Sequence, residues 1–392
     1  MKAQQLNLVP PHGGELKPLL ITDRDHRDRI LKSVPSLPTI KLTSKSESDL
    51  IMLATGAFSP LTGFMKSQDY VNVLHNMRLS NGLLWPIPIN LPVSSEHAGE
   101  IEPGDDVALI AAESDELMAV MTISEKFPYG KDLEAKQVFG TLDMSHPGVE
   151  KIYNQPDTYL AGDVKVLSEG SYPQDFKAFA RPAETRQIFA DKGWRTIAAF
   201  QTRNPIHRSH EYLTKVALEL CDGLLIHPVV GKLKVGDIPA DVRMKCYQAM
   251  MDHYYNPENT VLKVYPIEML YGGPREAILH AIIRQNFGCS HMIIGRDHAG
   301  VGDFYGAFEA QEIFETLQPG DLHLKPIKMD WTFWCRKCET VVSAKTCPHK
   351  HSDHLMISGT KLREMLSSGE RPPVEISRPE VVDILSEYYQ NL

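Results

Sequence analysis

The chain has 392 residues, a net charge of −9 at neutral pH and 42% hydrophobic residues. This length exceeds what one hydrophobic core usually supports, so we expect two or three domains. The acidic balance argues against broad binding to nucleic acid or to an anionic membrane. No apolar stretch is as long as a membrane span, and residues 1–16 lack the charged-then-apolar layout of a signal peptide, so we expect a cytoplasmic protein.

Residues 1–167 contain short apolar runs separated by turn residues, which is typical of a mostly β domain. The predicted strands lie in LLWPIPINLPV, DDVALIA, LMAVMTIS and DTYLAGDVKVL, and one helix is predicted around SESDLIMLA. SEGSYPQDF, residues 168–176, contains Gly, Pro and Ser without any period and predicts a linker. SPLTGFM, residues 59–65, predicts a structural corner.

The second domain, residues 168–329, alternates strands with helices from Thr196 onward. The predicted strands are TIAAF, GLLIHPVV, TVLKVYPI, HMIIG and HLKPIKM, with four helices between them, and this alternation predicts a parallel, doubly wound sheet. Pro274 suits the first turn of the third helix and Gly288 suits its end. We expect the common strand order 3-2-1-4-5, which makes the first and fourth strands neighbours at the switch point.

Two polar motifs follow those neighbouring strands. QTRNPIHRSHE, residues 201–211, joins the first strand to its helix, and GRDHAG, residues 295–300, follows the fourth strand. Open α/β sheets bind ligands at this edge, so the motifs predict one crevice for an anionic ligand. The residues expected around that ligand are Arg203, His207, His210, Arg296, Asp297 and His298.

The phosphate-binding loops of other nucleotide sites are missing from the sequence, since it contains neither GxGxxG after the first strand nor GxxxxGK[ST]. A helix N-terminus offers free N–H groups and a positive dipole end, and His207 and His210 lie on one face of the first turn. This arrangement suits a nucleotide phosphate. The sequence also allows structural interpretations, in which Arg203 and Arg296 form ion pairs and the histidines cap the helix or bind a metal.

The third part, residues 330–392, contains CRKCETVVSAKTCPHKHSDH, then ISGTKLR and a helical tail in RPEVVDILSEYYQNL. In a reducing compartment the spacing of the cysteines favours a metal over a disulfide, and three Cys with one His form a common structural zinc set. Sequence alone leaves three histidines open as the fourth ligand. The candidates are Cys335, Cys338 and Cys347 with His349, His351 or His354.

QTRNPIHRSHE, GRDHAG, SPLTGFM and ISGTKLR resemble the signature segments of the ATP sulfurylase (sulfate adenylyltransferase) family, and the similarity spans nearly the whole chain. The resemblance implies an α/β protein with a β-rich PUA-like domain, residues 1–167, and a Rossmann-like nucleotidylyltransferase domain with a parallel sheet, residues 168–329. It also implies a small C-terminal zinc-bearing domain, residues 330–392, resembling a zinc-containing bacterial and archaeal type.

Residue roles come with the resemblance. It implies that Gln201, Arg203 and Ala299 contact sulfate. It implies catalytic roles for Thr202, Arg203, Asn204, His207 and His210, and an ATP site formed by Asn204, Gly295, Arg296, Asp297 and His298. The zinc spacing of the family points to His351 beside the three cysteines, as a structural site, and Mg²⁺ is expected with ATP. ISGTKLR also resembles a phosphate-contacting motif, but Ser358 and Thr360 equally suit a helix cap, and the role of Arg363 stays open.

The implied reaction converts ATP and sulfate to adenylylsulfate and pyrophosphate, in a homo-oligomer of undefined size and in a physiological direction that the sequence does not define. One alternative is a nucleotidylyltransferase with another acceptor. A second is an RNA-binding protein with a PUA-like domain and a zinc ribbon that carries Arg336, Lys337, Lys345 and Lys350. The net acidity and the lack of interleaved aromatic and basic residues argue against nucleic acid as a partner.

Overall fold

The computed structural model describes residues 8–231, 237–356 and 359–391, apart from the side chain of Thr360. Within these ranges the strands form three sheets, and none of the helices is long and apolar enough to cross a membrane. The sheets follow one another along the chain.

The N-terminal part is built on one mixed sheet, as its short apolar runs predict. Its strands are β1 (Thr39–Lys41), β2 (Gly63–Phe64), β3 (Leu91–Val93), β4 (Asp106–Ile110), β5 (Leu117–Pro128) and β6 (Thr158–Val166). The order is β1-β4-β5-β6-β2, with β3 also paired to β6. SPLTGFM turns the chain into β2, where a side chain on Gly63 would place its Cβ 2.0 Å from the carbonyl oxygen of Gly162. The glycine is therefore required by the close approach of two strands.

The prediction of one helix in this part is wrong. The described residues form α1 (Arg24–Ser33), α2 (Ser44–Ala54), α3 (Ser67–Asn76), α4 (Ser95–Gly99), α5 (Lys131–Phe139) and α6 (Pro147–Asn154). The predicted helix is α2, which begins at an N-cap where the Thr43 hydroxyl accepts the Ser46 N–H at 3.1 Å. The other helices are at most 10 residues long, too short to repeat a clear apolar period.

The central part alternates strands and helices, as predicted. In chain order it contains α7 (Tyr172–Asp175), α8 (Pro182–Asp191), β7 (Ile197–Thr202), α9 (Arg208–Leu220), β8 (Gly223–Pro228), α10 (Ala240–Tyr254), β9 (Thr260–Leu262), α11 (Gly273–Asn286), β10 (His291–Ile294), α12 (Glu309–Glu312) and β11 (Lys325–Lys328). The parallel sheet has the order β11-β10-β7-β8-β9. This confirms the predicted 3-2-1-4-5 order.

Both faces of the parallel sheet are covered. Along β7, Ile197 and Ala199 pack in the cluster that includes residues of α8 and α11, whereas Ala198 and Phe200 pack with α9 and α10. This alternation follows from the two-residue period of a strand. The helix α11 also joins the core of the N-terminal part, so it lies buried between the two sheets.

The C-terminal part forms a small antiparallel sheet followed by two helices. Its elements are β12 (Thr332–Cys335), β13 (Thr340–Ser343), β14 (His354–Met356), α13 (Gly359–Ser367) and α14 (Pro379–Gln390), with the strand order β13-β12-β14. The helix α14 confirms the predicted tail and packs on α10. At its start, Arg378 donates two hydrogen bonds to Glu211 of α9, at 2.9 and 2.7 Å. These bonds fix the start of α14 to α9, and β13 of the small sheet also packs against α9.

Candidate active site

A cavity of about 540 Å³ lies where β7 and β10 end side by side. Every predicted nucleotide and sulfate residue lines it. These residues are Gln201, Thr202, Arg203, Asn204, His207 and His210 from the first motif and Gly295, Arg296, Asp297, His298 and Ala299 from the second. The structure therefore brings together two motifs that are about ninety residues apart in the sequence.

The first loop is held by its own side chains and by α10. The Thr202 hydroxyl accepts the Asn204 N–H and donates to the Asn204 carbonyl, both at 3.0 Å. That carbonyl also accepts the Tyr247 hydroxyl at 2.8 Å. Because the Thr202 hydroxyl is occupied inside the turn, it shapes the loop.

His207 is the N-cap of α9, and its Nδ1 accepts the His210 N–H at 3.4 Å. The two imidazole rings are stacked, with centroids 3.7 Å apart and planes inclined by 18°. Burial lowers the pKa of His207 well below its ordinary value and lowers the pKa of His210 to about 4. At neutral pH both rings are therefore neutral N–H donors, and with Nδ1 of His207 accepting, its Nε2 is the nitrogen that donates.

Both arginines lie against aromatic rings. The guanidinium of Arg203 lies 4.7 Å from the ring centre of Tyr271, and that of Arg296 lies 4.0 Å from the ring centre of Trp331. Nη1 of Arg203 is buried and has no hydrogen-bond partner among the described residues. Stacking fixes the plane of a guanidinium and leaves its N–H edge available for a bidentate contact with an oxyanion.

The second loop has an unusual backbone. Asp297 and Ala299 have φ angles of 52° and 57°, a region that residues other than glycine rarely adopt. Gly300 is packed so closely that a Cβ would lie 1.9 Å from Oδ1 of Asp297. The conformation is anchored by the Asp297 N–H, which donates to the Ala307 carbonyl at 2.8 Å, and by the Ala299 carbonyl, which accepts the Gly273 N–H at 3.1 Å. Such backbone strain is concentrated at functional sites.

The C-terminal part closes one side of the cavity. Its lining residues include Trp331, Thr332, Met356 and Arg363. Sequence reasoning missed Trp331, Thr332 and Met356 there and left the role of Arg363 open. Nη1 of Arg363 donates to Oδ1 of Asn204 at 2.9 Å. One available signal was that Trp331 follows the predicted fifth strand, whose carboxyl end lies at the same edge. Ser358 lies outside the described residues, as does the side chain of Thr360.

The second candidate site is a cluster of three cysteines and one histidine. Nδ1 of His349 lies 3.4 Å from Sγ of Cys335, 3.2 Å from Sγ of Cys338 and 3.7 Å from Sγ of Cys347. The Sγ atoms of Cys338 and Cys347 are 3.8 Å apart. A tetrahedral zinc site requires about 3.8 Å between sulfurs and about 3.6 Å between sulfur and nitrogen. The donor set and its spacing fit zinc.

The structure brings His349, and not the predicted His351, close to the three cysteines. Among the described residues, the four donor atoms within 4.8 Å of one another belong to the three cysteines and His349. His351 begins a short 3₁₀ turn and its side chain is exposed. His354 comes within 3.5 Å of Sγ of Cys347, but its ring is stacked on Phe333.

Comparison of the sequence with protein-family models identifies the class of protein to which the chain belongs. Residues 9–169 match the model of a PUA-like domain, and residues 177–388 match the ATP-sulfurylase family model. With the parallel sheet and the cavity at its switch point, these matches define an α/β nucleotidyltransferase domain that follows a PUA-like domain.

The relatives narrow the class. A sulfate adenylyltransferase of Desulforamulus reducens is 51% identical over 386 residues, covering 98% of this chain and 99% of that protein. A sulfate adenylyltransferase of Chlorobium chlorochromatii is 52% identical over 390 residues, covering 99% of this chain and 96% of that protein. The solved hexameric APS kinase from Thiobacillus denitrificans superposes with a TM-score of 0.76 at 28% identity, covering 97% of this chain and 69% of that one. The chain belongs to the ATP-sulfurylase family.

Proposed function

We propose that the cavity at the ends of β7 and β10 transfers the adenylyl group of ATP to sulfate, reversibly, forming adenylylsulfate and pyrophosphate. The chain is a sulfate adenylyltransferase in this proposal. One observation carries it, namely that two guanidinium groups and a helix N-terminus with neutral histidines converge on one cavity. The family of the chain supports the same reaction.

The chemical difficulty is electrostatic. Sulfate is a dianion that must approach an already anionic α-phosphate, so repulsion between like charges is the main obstacle. Sulfate needs no general base to become a nucleophile. Once its oxygen, the α-phosphorus and the pyrophosphate oxygen are aligned, one displacement completes the transfer without a covalent enzyme intermediate.

The positive charges of the two guanidinium groups reduce this repulsion. We assign Arg203 and Gln201 to sulfate, together with the backbone at Ala299, because these residues line the cavity and the free Nη1 of Arg203 can donate to an oxyanion. We assign Arg296 to the phosphates, where its stack on Trp331 keeps the guanidinium in place.

The nucleotide phosphates are assigned to the start of α9. His207 and His210 offer N–H groups there beside the positive end of the helix dipole. As neutral donors they stabilise charge that develops on the phosphate oxygens without a large electrostatic reorganisation. Asn204 joins this group from the preceding loop.

Mg²⁺ is expected as part of the nucleotide substrate. Asp297 and Asp330 are carboxylates in the cavity lining, and Mg²⁺ is commonly held by one or two carboxylates together with substrate phosphates. When bound, the ion neutralises phosphate charge.

Zinc is proposed at the second site, with Cys335, Cys338, Cys347 and His349 as ligands. Four such ligands would fill a tetrahedral site and leave no coordination position for a substrate, so a bound zinc would stabilise the small sheet. This sheet carries Thr332 and Met356 in the cavity lining on two of its strands. Loss of zinc would therefore loosen one wall of the cavity.

The direct test is the release of pyrophosphate from ATP by the purified chain with Mg²⁺, measured with sulfate and with other acceptors. Sulfate-dependent release supports the proposal. Release that depends on a mononucleotide or another acceptor, and not on sulfate, would establish the alternative nucleotidylyltransferase.

A further inference from the structure

A buried carboxylate and imidazole lie directly behind the cavity. Glu276 and His280 are one turn apart on α11, and neither side chain has any exposed surface. The Glu276 carboxylate accepts the backbone N–H groups of Leu270 at 2.9 Å and Gly272 at 2.8 Å. It lies 3.4 Å from Nε2 of His280. The backbone thus holds the carboxylate, and the carboxylate in turn holds the ring.

His280 meets the cavity through both of its ring nitrogens. Its Nε2 lies 3.4 Å from Nε2 of Gln201, and its Nδ1 lies 3.3 Å from Nε2 of His298. Gln201 belongs to β7 and His298 follows β10, and both line the cavity. One buried ring therefore touches a side chain from each of the two motifs.

On the basis of the proposed adenylyl transfer, we propose that Glu276 and His280 are positioning residues of this cavity. His280 sets the amide orientation of Gln201 through Nε2 and the tautomer of His298 through Nδ1. Neither Glu276 nor His280 touches a substrate in this account, and each acts only through the two cavity residues.

The proton positions follow from which atoms can donate and which can accept a hydrogen bond. A carboxylate only accepts, so His280 presents Nε2–H to Glu276 and its Nδ1 carries a lone pair. That lone pair requires Nε2–H on His298 as the donor, which leaves Nδ1 of His298 as an acceptor. Burial lowers the pKa of His280 and lowers that of His298 well below its ordinary value, so each ring carries a single N–H at neutral pH.

Gln201 lies as far from Nε2 of His280 as Glu276 does, at 3.4 Å, so the two side chains share this proton. With Nε2–H on His280, an amide nitrogen of Gln201 at that contact would place two donors against each other. A half-turn of the amide brings Oε1 to His280 as the acceptor and gives up the weak contact of the amide nitrogen with Sδ of Met269 at 3.6 Å. It also moves the amino group to the place of Oε1, which has no hydrogen-bond partner among the described residues. Sulfate accepts hydrogen bonds and does not donate them, so an amino group is what the anion needs there.

Two substitutions of His280 separate the two contacts. His280→Asn keeps an acceptor near Nδ1 and removes the donor at Nε2, whereas His280→Gln keeps a donor near Nε2 and removes the acceptor at Nδ1. We expect H280N to raise the KM for sulfate about tenfold or more and to leave the KM for ATP within about twofold, since a lost bond to a charged group has this size. We expect H280Q to raise mainly the KM for ATP, because it disturbs His298.

Glu276→Gln is the second perturbation, because it keeps the shape of the side chain and removes the carboxylate that imposes the proton on Nε2. We expect E276Q to raise the KM for sulfate in the same direction as H280N. Melting temperatures of all variants report the stability of the fold separately. If H280N and H280Q change both KM values equally, or change neither, the pair is a core element and the proposal is wrong.

The tautomers provide a readout that does not depend on activity. In ¹⁵N-histidine NMR spectra of the full chain at neutral pH, we expect both His280 and His298 to carry the proton on Nε2. A proton on Nδ1 of His280 would overturn the proposal even if the variants lose activity. If the wild-type chain shows these tautomers but no sulfate-dependent turnover, the proposed function fails and the hydrogen-bond assignment stands.

Discussion

Replacement of Arg203 by alanine is the most informative single change in the cavity. The guanidinium is held against Tyr271, and its Nη1 has no hydrogen-bond partner among the described residues. A bidentate contact with sulfate adds two charge-assisted hydrogen bonds of about 1.5–3 kcal/mol each. Truncation also leaves the repulsion between sulfate and the α-phosphate uncompensated. We therefore expect kcat/KM for sulfate to fall by about 10²–10³-fold, or about 3–4 kcal/mol.

The assay is sulfate-dependent pyrophosphate release at saturating MgATP, with circular dichroism and thermal melting as checks of the fold. Arg208→Ala is the matched control, because Arg208 belongs to the same motif but does not line the cavity. Its pair with Glu211 at 3.1 Å is backed by two bonds from Arg378 to the same carboxylate. A folded Arg203→Ala variant with near-normal turnover would refute the role of the guanidinium. Equal losses in both variants would assign the effect to net charge.

Other consequences can be measured with simple variants. His207→Ala and His210→Ala should lower kcat more than they raise the KM for ATP, since the donors act on developing charge, and a change in KM alone would make them ground-state binders. Chlorate or perchlorate should compete with sulfate, and inhibition by nucleotides but by no oxyanion would favour another acceptor. Metal analysis should find about one zinc per chain. The variants Cys338→Ser and His349→Ala should lose this zinc and melt at a lower temperature, whereas His351→Ala should keep it. If only the His351 variant loses zinc, His351 is the ligand. Burial lowers the pKa of His210 to about 4, so between about pH 6.5 and pH 4 the unfolded chain binds more protons than the folded chain. The melting temperature should therefore fall on acidification through this window. A melting temperature that does not change with pH would contradict the neutral ring.

The parts of the fold with strong local signals were predictable. The parallel sheet follows from long alternating segments, and its strand order follows from the usual topology of such sheets. The cavity was predictable for the same reason, because the polar motifs directly follow two strands that this order makes neighbours. The short helices of the N-terminal part were missed because segments such as α6, with 8 residues, contain little more than two turns.

The remaining site residues depend on contacts distant in the sequence. Trp331 and Arg363 reach the cavity only because the C-terminal part packs beside the sheet edge. Glu276 and His280 lie within a buried helix, and nothing in their spacing separates a positioning pair from an ordinary core pair. The fourth member of the cysteine cluster is decided by the loop backbone, which points His349 toward the sulfurs and leaves His351 exposed.

The central claim is that the adenylyl group passes directly from ATP to sulfate in one displacement. The most direct measurement is the exchange of labelled pyrophosphate into ATP by the purified chain with Mg²⁺, with and without sulfate. Because direct transfer needs the acceptor to release pyrophosphate, exchange should require sulfate, saturate with it and disappear in its absence. Exchange at the same rate without sulfate would reveal an adenylylated enzyme and contradict this account.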